Sequence, residues 1–284
     1  MPVFSMAAKL IAYLAAVHLI LKYSYRLCSR ASNRISSLTA PVFVLSLLAC
    51  LAALIPSATA LAVTFLFILA TDGSPFPIVA LDQTSGWLGF TLWGAGLGFV
   101  CVMVMFVFGR AAGFIRVRKI DDGQRRDRVP AFLGGLSDYL GAAAFEEIAM
   151  RGYVYYLIQT VYGAWAAVVG SAVVFAAVHL VRPDRIPAVF TVNAFIFGLL
   201  TGASRYWTGA LWLPIGLHVG WNVTSGPFLG LPYSGVAYDR GIVRSDVKGP
   251  QWFTGGLYSL DAGVLGTLAL LLAAAVLKLV APAT

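Results

Sequence analysis

The sequence contains few charged residues. Only 11% of its 284 residues are Asp, Glu, Lys or Arg, whereas 60% are hydrophobic and the mean hydropathy is +0.84. Soluble globular domains carry about 25% charged residues, so the composition excludes that class. Apolar runs of about 20 residues are typical of transmembrane helices. The sequence therefore predicts an all-α fold, a polytopic transmembrane helical bundle.

Several familiar site motifs are also missing. The three cysteines show no CxxC spacing, which argues against a metal or redox site built on cysteine. The HExxH arrangement, two histidines on one helical face with a glutamate base, is absent. No GxGD occurs either, and Asp138 and Asp261 lie at the edges of apolar runs, so an aspartyl intramembrane protease is disfavoured. The first apolar run has no A-x-A cleavage site and is interpreted as a retained span.

About eight spans are predicted from the apolar runs. The runs lie at 3–22, 38–70, 86–109, 133–158, 162–180, 187–204, 209–228 and 257–281. The second run contains Pro56 and exceeds the roughly 20 residues that a bilayer requires. It is consistent with one kinked helix or with a helix followed by a re-entrant piece.

Loop charge predicts the orientation of these spans, because Lys and Arg favour the cytoplasmic side. The loop after the first span and the stretch 110–128 are basic, whereas 71–85 contains Asp72 and Asp82 and no base. This alternation predicts both termini outside and the loops 181–186 and 229–256 inside. The net charge of +8 is then a topology signal and does not indicate a nucleic-acid partner. The 110–128 stretch could also bind anionic lipid head groups.

The stretch "AAAFEEIAMRGYVYY" places three charged side chains inside an apolar run. An ionisable group at the centre of a membrane helix costs about 2.5–3.5 kcal/mol and usually faces a cavity or a partner. Glu147 and Arg151 are spaced i,i+4 in the order that favours a helical ion pair. Glu146 points about 100° away around the helix and has no local cation.

Further polar groups occur on later spans. His179 ends the fifth run, Asn193 lies in the sixth, and His218 and Asn222 share one helical face of the seventh. The paired glycines Gly94/Gly98, Gly198/Gly202 and Gly216/Gly220 would allow close helix packing. A buried carboxylate can act as a general base, while imidazole and amide groups can donate to a developing oxyanion. These residue types together favour amide hydrolysis.

Three ordered motifs resemble those of the CPBP family of CAAX-processing and bacteriocin-processing intramembrane proteases, which includes the type II CAAX prenyl endopeptidases. "EEIAMR" is similar to EExxxR, "FAAVH" to FxxxH and "HVGWN" to HxxxN. The resemblance covers roughly Ala131 to Leu272, including "GGLYSLDAG", whereas the spans up to about Gly109 carry no family motif. The domain prediction is N-terminal transmembrane helices with a basic cytoplasmic loop over 1–130 and a CPBP-like protease core over 131–284.

The resemblance implies a role for each motif residue. Glu146 would be the base that activates water, with His179 beside it. His218 and Asn222 would stabilise the oxyanion. Outside the reacting groups, it implies an orienting ion pair and a residue that lines the cavity, namely Glu147 with Arg151, and Phe175.

Metal dependence is left open by the sequence. The family is commonly labelled as metalloproteases, yet a metal-free mechanism that depends on glutamate is argued for its CAAX members. Zinc sites use His, Cys or carboxylate ligands with one position for water, and Glu146, His179 and His218 could supply three such ligands if a metal is bound. We favour no tightly bound cofactor, with Zn²⁺ as the alternative.

Other functions compete with this interpretation. A rhomboid-like serine protease could use Ser204 and His218, but Arg205 stands where a small residue is expected and the glutamates remain unexplained. A proton-coupled carrier could also use intramembrane Glu and His, although no inverted repeat is visible. A non-catalytic membrane scaffold that binds a peptide or confers immunity is the third alternative.

The expected partners are the lipid bilayer and a peptide or membrane-protein substrate, which could be lipidated. A prenylated CAAX-type C-terminus cut near the cytoplasmic face is one candidate. The Ala- and Gly-rich composition favours instead a bacterial inner or plasma membrane and a bacterial peptide or membrane protein as substrate.

Overall fold

The chain folds into a bundle of α-helices. The computed structural model describes residues 3–118, 125–180, 187–232, 238 and 241–280. The helices are α1 Val3–Ser36, α2 Val42–Thr71, α3 Pro75–Ile78, α4 Trp87–Ala111, α5 Arg125–Glu147, α6 Tyr155–Tyr162, α7 Ala164–His179, α8 Ala188–Thr208, α9 Trp212–Val223, α10 Gln251–Thr254 and α11 Val264–Val280. Two π-helical segments, Ile148–Val154 and Thr224–Phe228, follow α5 and α9, and the 3₁₀ turn Leu260–Ala262 precedes α11. The helical fold class is confirmed.

A short β-ribbon interrupts the helical architecture. Strand β1, Ile115–Arg118, pairs antiparallel with β2, Arg244–Val247, and Ile115 stands opposite Val247. Ile115 is buried at one end of the ribbon, where its side chain approaches Gly109 of α4. The all-α expectation did not include this ribbon.

Among the described residues, four helices are long and apolar enough to cross a membrane: α1, α2, α4 and α8. The apolar helices α7 and α11 are shorter, at 16 and 17 residues. Each predicted apolar run contains a helix, yet the count of eight spans is not confirmed by helix length and composition. The eight-span topology therefore stays a prediction.

The first two helices decide one open alternative and correct one expectation. Helix α2 runs from Val42 to Thr71 through Pro56, so this region is one helix and not a helix with a re-entrant piece. Helix α1 continues to Ser36, so Lys22 and Arg34, expected in a loop, are helical. The predicted loop 181–186 lies outside the described residues, as do parts of 110–128 and 229–256.

Helices α4 and α9 approach each other backbone to backbone through glycines. A Cβ on Gly98 would lie 2.4 Å from the carbonyl oxygen of Leu217, and one on Gly220 would lie 2.1 Å from that of Ala95. Side chains at these positions would force the two backbones apart, as expected for small residues at membrane helix interfaces. The glycines therefore fix the position of α9, the helix that carries the HxxxN motif.

A polar cluster connects α1 and α2 with the first π-helical segment. Lys9 Nζ donates to Asp72 Oδ1 at 2.5 Å, and the Tyr153 hydroxyl donates to Asp72 Oδ2 at 2.8 Å. Thr71 Oγ1 also donates to Asp72 Oδ2, at 2.6 Å. Burial acts to raise the pKa of Asp72, but these hydrogen bonds outweigh it and the pKa is lowered. The cluster thus joins α1 and the end of α2 to the π-helical segment that contains Arg151.

Candidate active site

The EExxxR motif lies where α5 changes into a π-helix. Helix α5 ends at Glu147, and the π-helical segment Ile148–Val154 that follows is entirely buried. π-Helical turns are rare and frequently occur at functional sites. Arg151 therefore lies on a π-helical turn, which is wider than an α-helical turn. The sequence predicted an ordinary α-helix here.

Glu147 joins the EExxxR helix to the HxxxN helix. Arg151 Nη1 lies 3.3 Å from Glu147 Oε1, and His218 Nδ1 lies 2.8 Å from the same oxygen. The side chains of Glu147 and Arg151 are 0% exposed, and that of His218 is 7% exposed. The Glu147–Arg151 contact has the geometry that its i,i+4 spacing favours. Sequence spacing could not indicate the contact with His218, because the two residues are on different helices.

Arg151 is enclosed by aromatic and small residues. Its guanidinium carbon lies 4.3 Å from the ring centroid of Phe175, the first residue of FxxxH, in a cation–π contact. A Cβ on Gly198 of α8 would lie 3.0 Å from Arg151 Nη2, so a glycine there leaves room for the guanidinium. Arg151 Nε and Nη2 have no hydrogen-bond partner among the described residues.

Glu146 is more accessible than its neighbour. Its side chain is 30% exposed, and its Oε2 lies 3.9 Å from His218 Nε2. This distance is too long for a hydrogen bond, but a single water molecule can bridge polar groups at such a separation. The two adjacent glutamates therefore contact opposite nitrogens of one imidazole, Glu147 directly and Glu146 across a gap.

His179 is oriented by its own helix. Its Nδ1 lies 2.7 Å from the carbonyl oxygen of Phe175, one turn earlier, and its ring packs 4.6 Å from that of Phe175. The ring also lies 5.7 Å from that of Phe190 on α8. When Nδ1 donates to the carbonyl, Nε2 is the nitrogen available to a ligand.

One cavity of about 50 Å³ is lined by all four residues predicted to be catalytic. They are Glu146, His179, His218 and Asn222, and Phe175 contributes to the wall. A cavity needs about 10–15 Å³ to hold a water molecule, so this one has room for several. The three motif elements thus meet at one cavity, which has room for a few water molecules.

Two further polar residues line the cavity. They are Asn193 of α8 and Asp261 of the 3₁₀ turn before α11, and neither belongs to the three motifs. Asn193 donates through Nδ2 to the carbonyl oxygens of Asp261 and Gly263, at 2.6 and 3.1 Å, and accepts from Thr267 at 2.8 Å. Its amide is therefore committed to holding the segment before α11. The only sequence signal for Asp261 was its place in "GGLYSLDAG".

The three possible zinc ligands, Glu146, His179 and His218, are not grouped as a metal site. In the part of the chain that the structure describes, no group of three or more His, Cys, Asp or Glu side chains is placed to hold a metal ion. Nδ1 of His218 faces Glu147 and Nδ1 of His179 faces the Phe175 carbonyl, an arrangement that metal-ligating histidines also show and that leaves Nε2 of each ring available. The case against a zinc site therefore rests on the placement of Glu146, His179 and His218, which do not form such a group.

The residues of the rival proteases lie apart. Ser204 Oγ donates to the carbonyl oxygen of Leu200 within α8, and Ser204 does not line the cavity that contains His218. Asp138 lines a different cavity from Asp261. Neither a Ser–His dyad nor a pair of facing aspartates is formed by these residues.

Comparison with known proteins supports the motif resemblance. Residues 128–224 match the family described as type II CAAX prenyl endopeptidase Rce1-like. The matched segment contains the EExxxR, FxxxH and HxxxN motifs, so the resemblance is confirmed over these residues. The later part of the expected resemblance, up to Leu272, lies outside the match and stays a prediction. No curated protein and no solved structure matches the chain.

Proposed function

We propose that this chain, which resembles the type II CAAX prenyl endopeptidases over residues 128–224, is an intramembrane endopeptidase that uses Glu146 to activate water. The observation that carries the proposal is the convergence of Glu146, His179, His218 and Asn222 on one cavity of about 50 Å³. Several apolar helices of membrane-spanning length support an integral membrane location.

Each group has a step in the proposed hydrolysis. The Glu146 carboxylate takes a proton from a water molecule, whose oxygen adds to the carbonyl carbon of the scissile amide. The π-electron pair of the carbonyl moves to its oxygen, which accepts hydrogen bonds from His218 Nε2–H and the Asn222 amide. The intermediate then collapses, the C–N bond breaks with its electron pair on nitrogen, and the amine takes the proton from Glu146. The products are a carboxylic acid and an amine.

The remaining site residues orient the reacting groups. His179 Nε2 accepts a hydrogen bond from the attacking water, since Nδ1 faces the Phe175 carbonyl. Glu147 and Arg151 form the buried ion pair that positions the motif helix, and Glu147 also positions His218. His218 can donate through both ring nitrogens when it is protonated, to Glu147 through Nδ1 and to the oxyanion through Nε2. These roles derive from the chain's own residues and require no metal.

We further propose the eight-span topology, with the active site open towards the cytoplasm of a bacterial inner or plasma membrane. The basic residues in the C-terminal part of α1, from Lys22 to Arg34, and those of the stretch 110–128 support this orientation. The boundary at residue 130 separates a part without family motifs from a part that contains them. It does not separate two independently packed domains, because α4 of the N-terminal part packs tightly on α9 of the protease core. The substrate is a peptide or membrane protein, such as a prenylated CAAX-type C-terminus or a bacterial peptide.

The test is cleavage of a panel of lipidated and unlipidated peptides by the purified protein in nanodiscs, in water enriched in ¹⁸O. Hydrolysis predicts one ¹⁸O atom in the new carboxyl group of the product, read by mass spectrometry. Parallel reactions with phenanthroline test the metal question. Cleavage that survives the chelator supports the glutamate-dependent mechanism, whereas loss that added zinc reverses would overturn it.

A folded protein that binds peptides from the panel and cleaves none would support the scaffold instead. A carrier is distinguished by transport of peptide into sealed proteoliposomes without cleavage. Either outcome would contradict the proposed hydrolysis.

A further inference from the structure

A second cavity lies between α1, α2 and α5. Its volume is about 460 Å³, within the range of about 300–1,000 Å³ that is typical of small-molecule sites. Among the described residues that line it, none belongs to the EExxxR, FxxxH or HxxxN motif. The proposed hydrolysis therefore does not use this cavity, and it is a candidate for a separate site.

The depth of the cavity in the membrane can be measured from the ion pair between Lys9 of α1 and Asp72 at the end of α2. Ser29 lies 20 residues after Lys9, and Ala53 lies 19 residues before Asp72, and both line the cavity. At 1.5 Å per residue, each separation is about 30 Å, which is the thickness of the hydrocarbon core. Charged groups are costly inside that core, so the ion pair marks one interface and the cavity lies at the other.

The walls of the cavity combine polar and apolar side chains. Helix α1 contributes Ser29, Ser32 and Asn33, all of them exposed, and α2 contributes Ala49 and Ala53. The apolar run of α1 ends at residue 22, before the first residue that lines the cavity. A mixed cavity at the level of the lipid head groups fits an amphiphile better than a fully polar or a fully apolar ligand.

Close packing of α2 on α5 shows that the cavity is not a sign of loosely packed helices. A Cβ on Gly134 would lie 3.3 Å from the Ala49 Cβ, and one on Gly141 would lie 2.9 Å from Ser57 Oγ. Small residues allow this approach, as at other membrane helix interfaces. The space is therefore left between a tight α2–α5 pair and the polar end of α1.

Three arginines of α1 flank the cavity. Arg26, Arg30 and Arg34 each directly follow a residue that lines it, and their spacing of four places them on one helical face. All three are exposed, and none forms an ion pair within the part of the chain that the structure describes. Guanidinium groups bind phosphate in a bidentate manner. The rim of the cavity thus suits a phosphate group.

Asp138 of α5 adds a carboxylate to the cavity wall. A carboxylate accepts several hydrogen bonds through its two oxygens, and its charge repels a head group that is only anionic. A primary ammonium group complements it, because that group is a cation with three N–H donors. The acid on one helix and the arginines on another therefore favour a head group that carries both charges.

We propose that this cavity binds the head group of a glycerophospholipid that carries a phosphate and a primary ammonium group. The arginines of α1 bind the phosphate, and Asp138 accepts hydrogen bonds from the ammonium. Ala49 and Ala53 contact the apolar part next to the glycerol. The bound lipid joins α1 to α5, the helix that carries Glu146. This site is separate from the proposed hydrolysis and does not depend on it.

Native mass spectrometry of the purified protein measures the binding of single lipids. The probes are phosphatidylethanolamine, phosphatidylglycerol, which lacks the amine, and phosphatidylcholine, whose quaternary ammonium has no N–H donor. We expect phosphatidylethanolamine to bind at least about tenfold more tightly than the other two, as a charge-assisted hydrogen bond predicts. Equal affinities for the three lipids, or tighter binding of phosphatidylglycerol, would overturn the proposal.

Two substitutions assign the binding to particular groups. Asp138→Asn should remove the preference for phosphatidylethanolamine, whereas Arg30→Gln should weaken the binding of all three lipids by about fivefold, since each carries a phosphate. Arg118→Gln is the matched control, because Arg118 is an exposed arginine of the β-ribbon that pairs with Asp246. Wild-type preference in a folded Asp138→Asn protein, or equal losses in the two arginine variants, would contradict the assignment.

Cys28 lines the cavity and reports on its occupant, including where Asp138→Asn fails to fold. The chain has three cysteines, so replacing Cys50 and Cys101 by alanine leaves Cys28 as the single thiol. Maleimide labelling should be slower in nanodiscs that contain phosphatidylethanolamine than in nanodiscs of phosphatidylcholine alone. Ser29→Trp fills the cavity from its exposed wall, and it should remove this difference. Labelling that is slowed by peptides of the cleavage panel, and not by the lipid, would show a peptide site and overturn the proposal.

Discussion

His218 Nδ1 lies 2.8 Å from Glu147 Oε1, the same oxygen that Arg151 Nη1 approaches at 3.3 Å. One buried carboxylate oxygen therefore connects the EExxxR helix with the HxxxN helix. The adjacent Glu146 remains 30% exposed and faces the cavity. The double glutamate thus divides into one residue that joins the helices and one that is free to react.

Replacing Glu147 by glutamine should destabilise the protein strongly. Arg151 is 0% exposed, and a buried charge left without its partner costs about 3–5 kcal/mol. The melting temperature in detergent should fall, and His218 should lose its anchor. Arg118→Gln is the control, because the Arg118 side chain is 60% exposed and exposed pairs contribute about 0–1 kcal/mol. Equal losses in the two variants would contradict the role given to Glu147.

Gly98→Ala should displace the HxxxN helix. Its new Cβ would lie 2.4 Å from the Leu217 carbonyl oxygen and 2.6 Å from the Trp221 nitrogen, so α9 must move away. Overpacking of this kind costs about 1–3 kcal/mol, and cleavage should fall with the displacement of His218. Gly96 lies two residues away on α4, and a Cβ added there would have no neighbouring atom within 4 Å, so Gly96→Ala is the control.

Since alanine favours helix over glycine by up to about 1 kcal/mol, Gly96→Ala should leave stability and cleavage unchanged or slightly improved. Thermal unfolding and peptide cleavage measure both variants. A Gly98→Ala protein that behaves like Gly96→Ala would show that the close contact of α4 with α9 is not needed.

Acid should weaken the cluster around Asp72. Its pKa in the folded protein is lowered from the usual 3.8, because the hydrogen bonds from Lys9, Thr71 and Tyr153 outweigh the effect of burial. Asp72 therefore stabilises the fold above the unfolded-state pKa, and this contribution is lost as the pH falls through the lower folded value. Melting temperatures between about pH 6 and about pH 3 should fall less for Asp72→Asn than for the wild type. Identical falls would show that Asp72 contributes no pH-dependent stability.

The sequence predicted which polar residues meet at the cavity, but not all of the contacts between them. The motif spacings identified Glu146, His179, His218 and Asn222, and the structure brings them to one cavity. Local spacing also favoured the contact between Glu147 and Arg151. The contact between Glu147 and His218 joins residues 71 positions apart, and spacing within one helix carries no information about such pairs.

Other features depended on packing that local patterns do not record. Asp261 looked like a residue at a span edge, and only the folding of 260–263 against α8 brings it to the cavity. The β-ribbon pairs residues about 130 positions apart, such as Ile115 with Val247. Helix α1 continues past its apolar run to Ser36, so hydropathy predicted the end of the run but not the end of the helix.

The most direct test of the central claim is kcat/KM for Glu146→Gln beside the wild type, on one cleaved peptide, with peptide binding measured by fluorescence anisotropy. Loss of the general base predicts a fall in kcat of about 10²–10⁴-fold, with the same dissociation constant and melting temperature. A Glu146→Gln protein that binds and cleaves the peptide at the wild-type rate would contradict the assignment of Glu146 as the residue that activates water.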